Sequence, residues 1–123
     1  MPADEITVDN GVDFPELLAR VEYDWELLRE VYGIFINDYP EILEQLKTAV
    51  LRGELNLVRT TAHTLKGMLA SLSFRAASAC AMRIEKLASA NISDGIPDEL
   101  ARLASQTALA SDQLRARCEE VIR

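Results

Sequence analysis

Apolar residues recur at alternating steps of three and four along this chain, and that spacing most constrains its fold. The clearest stripe has steps of 3, 4, 3, 4 and 3, through Leu55, Val58, Ala62, Leu65, Leu69 and Leu72. Such steps place side chains on one face of an α-helix. Strand-type alternation occurs nowhere in the sequence. The chain is therefore predicted to be all-α.

A longer stripe runs from Asp24 to Arg52 and contains a proline. Proline inside a helix costs about 3 kcal/mol, through a lost hydrogen bond and a steric clash. The spacing keeps its phase across Pro40, which favours one long helix kinked near the proline over two helices that meet at Asp38. Asp24 is the candidate N-cap, and Gly53 is the stop signal.

The N-terminal region divides into a lead-in and a short helix. Residues 1–11 are polar and are predicted to be a mobile lead-in, while residues 12–123 are predicted to form one domain. Asp13 can cap a short helix that has Pro15 in its first turn and ends near Arg20.

Two further helical segments complete the pattern. One begins at Phe74 and continues through Ala88, and the other begins near Pro97 after a loop at residues 91–95. Four long amphipathic helices with short connections predict an antiparallel four-helix bundle. The short extra N-terminal helix is expected to lie across one end of it.

Composition excludes several classes of protein. The net charge of −7 argues against binding to nucleic acid and to anionic membrane surfaces. No apolar run approaches the ~20 residues of a transmembrane helix. Cys80 and Cys118 lack metal-type spacing, and no signal peptide is recognisable. A cytoplasmic domain is expected, either free-standing or part of a larger protein.

The only histidine in the chain lies on the Leu55–Leu72 helix. At about 100° per residue, His63 lies roughly 125° from the centre of the buried stripe, so its ring is expected to reach water. Lys66 and Gly67 follow at i+3 and i+4, the neighbouring positions on the helix surface. The segment predicts an anion-handling site, although an ordinary surface histidine beside a solvated lysine is the alternative.

An exposed imidazole can act as a metal ligand, a general base or a nucleophile. A metal site needs several ligands, and a hydrolytic triad needs an activated serine, for which Ser71 and Thr64 show no signature. A nucleophile toward phosphorus needs exposure, a lone pair and charge stabilisation, which Lys66 can supply. Gly67 in mid-helix costs about 1 kcal/mol relative to alanine, and close approach of another molecule would explain it.

A carboxylate is expected opposite the imidazole. His63 lies 11 residues before Phe74, at the predicted turn, and Glu85 lies 11 residues after it. In an antiparallel helix pair the two would stand at the same height, where Glu85 could accept a ring N–H and fix the tautomer. The alternative is a solvated glutamate that pairs with Arg83 or Lys86.

These residues carry a resemblance to a known family. The segment Ala62–Gly67 resembles the signature of histidine-containing phosphotransfer (Hpt) domains of multistep phosphorelays. Residues 12–18 resemble the opening helix of that family, and residues 35–40 resemble its long-helix segment. Ile84 and Glu85 resemble part of its third helix. The chain departs from the pattern at Ser73, where many members have glycine.

The resemblance implies a phosphoryl carrier rather than an enzyme. Nε2 of His63 would attack the aspartyl-phosphate of a receiver domain and pass the group to another receiver. Lys66 would neutralise phosphoryl charge, and Gly67 would give clearance for the receiver. A glutamate that matches Glu85 hydrogen-bonds the histidine in the related phosphorylatable domain of chemotaxis kinases. No cofactor of its own is implied, because the receiver brings Mg²⁺.

The implied partners are response-regulator receiver domains and a sensor histidine kinase. No binding to nucleic acid and no direct contact with the membrane are expected. The chain is expected to be a monomer. It is expected in the cytoplasm, alone or as the cytoplasmic tail of a membrane sensor kinase. The alternatives are the phosphorylatable domain of a chemotaxis-type or hybrid kinase, and a non-phosphorylated helical adaptor. The expected docking residues are Asn56, Arg59, Thr60, Ala70 and Ser71, with Leu17 and Leu18.

Overall fold

A computed structural model describes residues 11–122, with side chains as far as Glu119. This part of the chain contains five helices and no β-strand, which confirms the all-α prediction. The helices are α1 (Phe14–Arg20), α2 (Trp25–Arg52), α3 (Leu55–Ser71), α4 (Arg75–Ser89) and α5 (Ile96–Ile122).

The four long helices form the predicted bundle. Helix α3 packs against α2 and α4, and α5 packs against α4 and α2, so the contacts close a ring. Short connections make successive helices antiparallel. Each helix turns its apolar stripe inward, and the largest fully buried side chains include Leu28, Leu46, Leu65, Ile84 and Leu114.

Local signals set the helix ends where the sequence predicts them. Asp13 accepts a hydrogen bond from the Glu16 amide at 3.2 Å, and Asp24 accepts one from the Leu27 amide at 3.0 Å. Gly53 ends α2 in the left-handed conformation with φ of 68°. Helix α2 continues through Pro40, so the prediction of one long helix is confirmed.

The segment before α1 is tied to the turn between α3 and α4. The Asp13 amide donates to the Ser73 carbonyl at 3.0 Å, and the Val12 amide donates to Gln113 Oε1 at 3.0 Å. Gly11 is buried beside Gln113, whereas the rest of the predicted lead-in, residues 1–10, lies outside the described part. The domain boundary at residue 12 stays a prediction.

Ser73 shows why glycine suits its position in related sequences. It adopts a left-handed backbone conformation with φ of 58° in the α3–α4 turn, which glycine enters without steric cost. Ser73 is buried, and its hydroxyl has no hydrogen-bond partner within the described structure. The turn still closes, because the Ser73 amide donates to the Ala70 carbonyl at 2.9 Å.

Candidate functional site

His63 lies on the outer face of α3, as the helical spacing predicts. Ala62 and Leu65 on the same helix are completely buried, whereas 65% of the His63 side chain is exposed. The bundle therefore holds the backbone of His63 rigidly and leaves the ring in solvent.

Helix α4 brings Glu85 to the imidazole. The His63 Nδ1 atom lies 2.9 Å from Glu85 Oε2. An ionised carboxylate can only accept, so the ring nitrogen that faces it carries the proton. The unprotonated Nε2 of the neutral ring then keeps its lone pair. The alternative partner Arg83 is engaged elsewhere, with its Nε 3.1 Å from Glu99 Oε2.

Lys66 contacts the same carboxylate through the other oxygen. Its Nζ lies 2.8 Å from Glu85 Oε1, so Glu85 bridges the imidazole and the ammonium. The hydrogen bond from Lys66 lowers the pKa of Glu85 from its ordinary value, partial burial opposes this, and His63 adds a smaller lowering. Glu85 therefore remains ionised at neutral pH, as its hydrogen-bond acceptor role requires.

The lowered pKa of Glu85 gives a pH-dependent contribution to stability. Because its pKa is lower in the folded than in the unfolded state, the contribution is fully present above the unfolded-state value of about 4.3. It is lost as the pH falls through the folded-state value. We therefore expect the free energy of unfolding of the wild type to fall relative to that of Glu85→Gln only below about pH 5. Urea titrations of both chains from pH 7 to pH 3 measure this difference, and a difference that does not change with pH would contradict it.

Gly67 lies one helical turn beyond His63 and has open space around it. A Cβ atom built on Gly67 meets no atom of the described residues within 4 Å. Packing within the chain therefore does not require a glycine here, although glycine weakens a helix by about 1 kcal/mol relative to alanine. The open turn leaves room for another molecule beside the ring.

The predicted docking residues divide into exposed and buried ones. Asn56, Arg59, Thr60 and Ser71 are exposed, and Ala70 is partly exposed. Leu17 is fully buried, so its assignment to a docking surface is wrong. It is the residue through which α1 closes the end of the core. Leu18 is half-buried and packs against the core.

Two of the open grooves that border α3 lie along its C-terminal half, and the sequence does not predict them. One has a volume of about 170 Å³ and lies between α2 and α3, with Ile34, Met68 and Leu72 among its lining residues. The other has a volume of about 310 Å³ and begins at Lys66. Ile34 lies outside the buried stripe of α2 and is exposed. An apolar residue at such a position is the sequence feature that could have indicated the groove between α2 and α3.

The described residues offer neither a metal site nor a membrane span. Within residues 11–122, no group of three or more His, Cys, Asp or Glu side chains could hold a metal ion. No helix in the same part has the length and apolar character needed to cross a bilayer.

An all-helical bundle that presents one solvent-facing imidazole, with the second ring nitrogen held by a carboxylate, defines a domain built to expose a nucleophile. The family model of the Hpt domain matches residues 30–123, about three quarters of the chain. The chain therefore belongs to the Hpt domain family. The predicted likeness of residues 12–18 to the opening helix lies outside the matched range. No curated protein and no solved structure gave a significant match.

Membership of this family defines the general activity. Hpt domains carry phosphoryl groups on histidine in phosphorelays of two-component signalling, and they interact with receiver domains and kinases. They are phosphotransfer carriers rather than classical enzymes.

Proposed function

We propose that this chain accepts a phosphoryl group on Nε2 of His63 from the aspartyl-phosphate of one receiver domain and passes it to the aspartate of another. One observation supports this assignment most directly: Glu85 holds Nδ1 at 2.9 Å, while the ring stays exposed. Because the ring proton is held on Nδ1, the lone pair of Nε2 is already free, and no separate base is needed to remove a proton from it.

The proposed transfer is a single exchange of bonds at phosphorus. The Nε2 lone pair forms an N–P bond as the P–O bond of the aspartyl-phosphate breaks, and the aspartate leaves as a carboxylate. The imidazole becomes positively charged, and its proton stays on Nδ1 in a hydrogen bond to Glu85. A carboxylate at 2.9 Å stabilises that developing charge. Return to a second receiver reverses the same steps.

Lys66 and Gly67 complete the proposed site. Lys66 offsets the negative charge of Glu85 at 2.8 Å, which would otherwise repel an incoming phosphoryl group. In the proposed complex its ammonium also attracts the phosphoryl oxygens. Gly67 leaves space for the loops of the receiver. We assign no cofactor to this chain and expect the receiver to contribute Mg²⁺.

Replacement of Lys66 is expected to slow the transfer about tenfold, because the phosphoryl group would then approach an uncompensated carboxylate at a Coulomb cost of roughly 1 kcal/mol in water. Lys66→Ala should keep the helical fold, since the side chain lies at the surface and its loss leaves no buried charge unpaired. Single-turnover transfer from a labelled receiver measures the rate. Lys86→Ala is the control, because Lys86 is an exposed lysine next to Glu85 in sequence, whereas Lys66 is half-buried against it. Equal rates for wild type and Lys66→Ala would refute the role.

The proposal is tested by mixing the chain with a panel of separately phosphorylated receivers. At least one receiver is expected to lose its label as the chain gains a phosphate that acid removes and alkali preserves. A labelled chain mixed with fresh receivers should then return the group. If no receiver exchanges phosphate with the chain, the proposal is wrong.

A kinase-fed domain is the second candidate, and the contact between Glu85 and His63 supports it equally, because the chemotaxis-kinase domains that the chain resembles have a matching glutamate. Incubation with ATP and a histidine kinase catalytic domain, without any receiver, separates the two routes.

We further infer a cytoplasmic location, which the two free, buried cysteines support. A monomer is consistent with small, transient docking.

A further inference from the structure

Charge is distributed unevenly between the transfer site and the rest of the chain. The α3–α4 hairpin, Leu55–Ser89, has five basic residues and one acidic residue, whereas the whole chain has 13 basic and 20 acidic residues. The single acidic residue is Glu85, which is engaged with His63 and Lys66. An acidic chain therefore presents its phosphotransfer histidine on a positively charged hairpin.

This positive charge borders a groove that begins at the site. The groove of about 310 Å³ lies where α1 meets the α3–α4 hairpin. Its floor consists of small or apolar side chains, and cations form much of its rim. We call it the cationic groove, because its charged lining consists of three cations, Arg20, Lys66 and Arg75, and one carboxylate, Glu16, beside the small or apolar Ala70, Ala79 and Met82.

Arg75 presents its charge outward, although it has a carboxylate partner. Its side chain is 58% exposed, whereas its partner Asp13, 3.1 Å away, is only 13% exposed. Asp13 also caps α1 with its other oxygen. A guanidinium has five N–H donors, so this contact leaves Arg75 able to bind a further carboxylate.

Arg20 is held less tightly by its partner Glu16 than Arg75 is held by Asp13. The nearest atoms of Arg20 and Glu16 are 3.8 Å apart, beyond hydrogen-bond distance, and both side chains are well exposed. An exposed pair of this kind contributes little to stability. Arg20 can therefore turn toward a partner at little cost to the fold.

The groove lies at the edge of a docking surface centred on His63. Arg75 precedes Glu85 by ten residues on α4, which corresponds to roughly 15 Å along the helix axis. A docking surface of about 600–800 Å² per partner has a similar radius. Charges at the rim of an interface mainly change the association rate and its salt dependence.

We propose that the cationic groove receives an acidic segment at the edge of the docked receiver and accelerates formation of the transfer complex. The partner is identified by its chemistry: surface carboxylates placed about 15 Å from the phosphorylated aspartate. Arg20 and Arg75 act here as specificity-determining residues, and they do not touch the reacting phosphorus. The inference rests on the proposed exchange with receivers.

The test compares Arg20→Glu and Arg75→Gln with a matched charge change elsewhere, Arg115→Glu. Arg115 is 59% exposed and, like Arg20, has a carboxylate partner one turn away on its own helix, although the Arg115–Asp112 pair is closer, at 3.0 Å against 3.8 Å. Its helix α5 lies diagonally across the bundle from α3. The probe is a receiver that exchanges phosphate with the wild type, and the measured quantity is the second-order transfer rate constant.

At about 20 mM salt, Arg20→Glu is expected to lower this rate constant about three- to tenfold, and Arg75→Gln by a smaller factor. Arg115→Glu is expected to change it by less than about twofold. Near 0.5 M salt the screening length is only about 4 Å, so all chains should converge on one rate constant. Circular dichroism checks that each variant keeps its helical content.

Two results would overturn the inference: an effect of Arg20→Glu no larger than that of Arg115→Glu, or a deficit that persists at high salt. Both can occur while the wild type exchanges phosphate normally, so the proposed function would survive either. If no receiver exchanges phosphate with the wild type, the proposed function fails and this inference fails with it.

Discussion

A His63→Gln chain is expected to carry no acid-labile phosphate after incubation with any phosphorylated receiver or kinase. His63 is the only histidine in the sequence, so no second imidazole can replace it. Glutamine can still hydrogen-bond to Glu85, but its amide nitrogen has no lone pair available for attack on phosphorus. The expected effect is complete loss of transfer, measured by label retained at alkaline pH and released by acid.

The fold of His63→Gln should be unaffected, because 65% of the His63 side chain is exposed. Thermal unfolding of both chains provides that control. Acid-labile phosphate on the variant would show that another residue accepts the group. A helical adaptor predicts a different result, in which the wild type gains no phosphate and both chains bind the partner equally.

Local signals predict the helices of this chain well. The caps at Asp13 and Asp24 and the left-handed Gly53 depend on neighbours within a few residues, so sequence alone locates the ends of α1 and α2. The uninterrupted phase across Pro40 correctly predicts one helix, because the packing of a 28-residue stripe outweighs one lost hydrogen bond.

Helix geometry alone predicts the exposure of His63 and the position of Glu85 along α4. Counting eleven residues either side of the turn at Phe74 brings Glu85 level with His63, since α3 and α4 are antiparallel neighbours. The Lys66–Glu85 ion pair was not predicted. The number of residues from the turn sets the position of Glu85 along the helix axis, but it does not set the rotation of α4 about that axis. This rotation determines which side chains of α3 contact the carboxylate.

Features that depend on the placement of α1 were the least predictable. Residues Val12 and Asp13 bond to Gln113 and Ser73, which are distant in sequence, and these contacts decide how α1 crosses the bundle. The resulting orientation buries Leu17 and places Arg20 in the same groove as Lys66. A short amphipathic pattern cannot specify such long-range contacts.

Replacement of Gly67 by leucine should stabilise the free chain and yet impair transfer. A Cβ atom at Gly67 meets none of the described residues within 4 Å, so the helix gains about 1 kcal/mol from the better helix former. Side chains on a helix lean toward its N-terminus, so the introduced leucine would lie over the His63 ring. It would occupy the space through which the receiver must approach. A displacement of the reacting atoms by 1 Å can cost about 100-fold, and we expect a loss of transfer rate of at least that order.

Gly33→Leu provides the matched control for this effect. Gly33 is also an exposed glycine inside a long helix, and a Cβ atom built there likewise meets nothing within 4 Å. Both variants should therefore raise the free energy of unfolding by similar amounts, whereas only Gly67→Leu should slow transfer. Similar slowing in both would assign the defect to helix rigidity rather than to clearance. Wild-type transfer by Gly67→Leu would show that the receiver approaches His63 from a direction that avoids the open turn, and the role assigned to this glycine would be wrong.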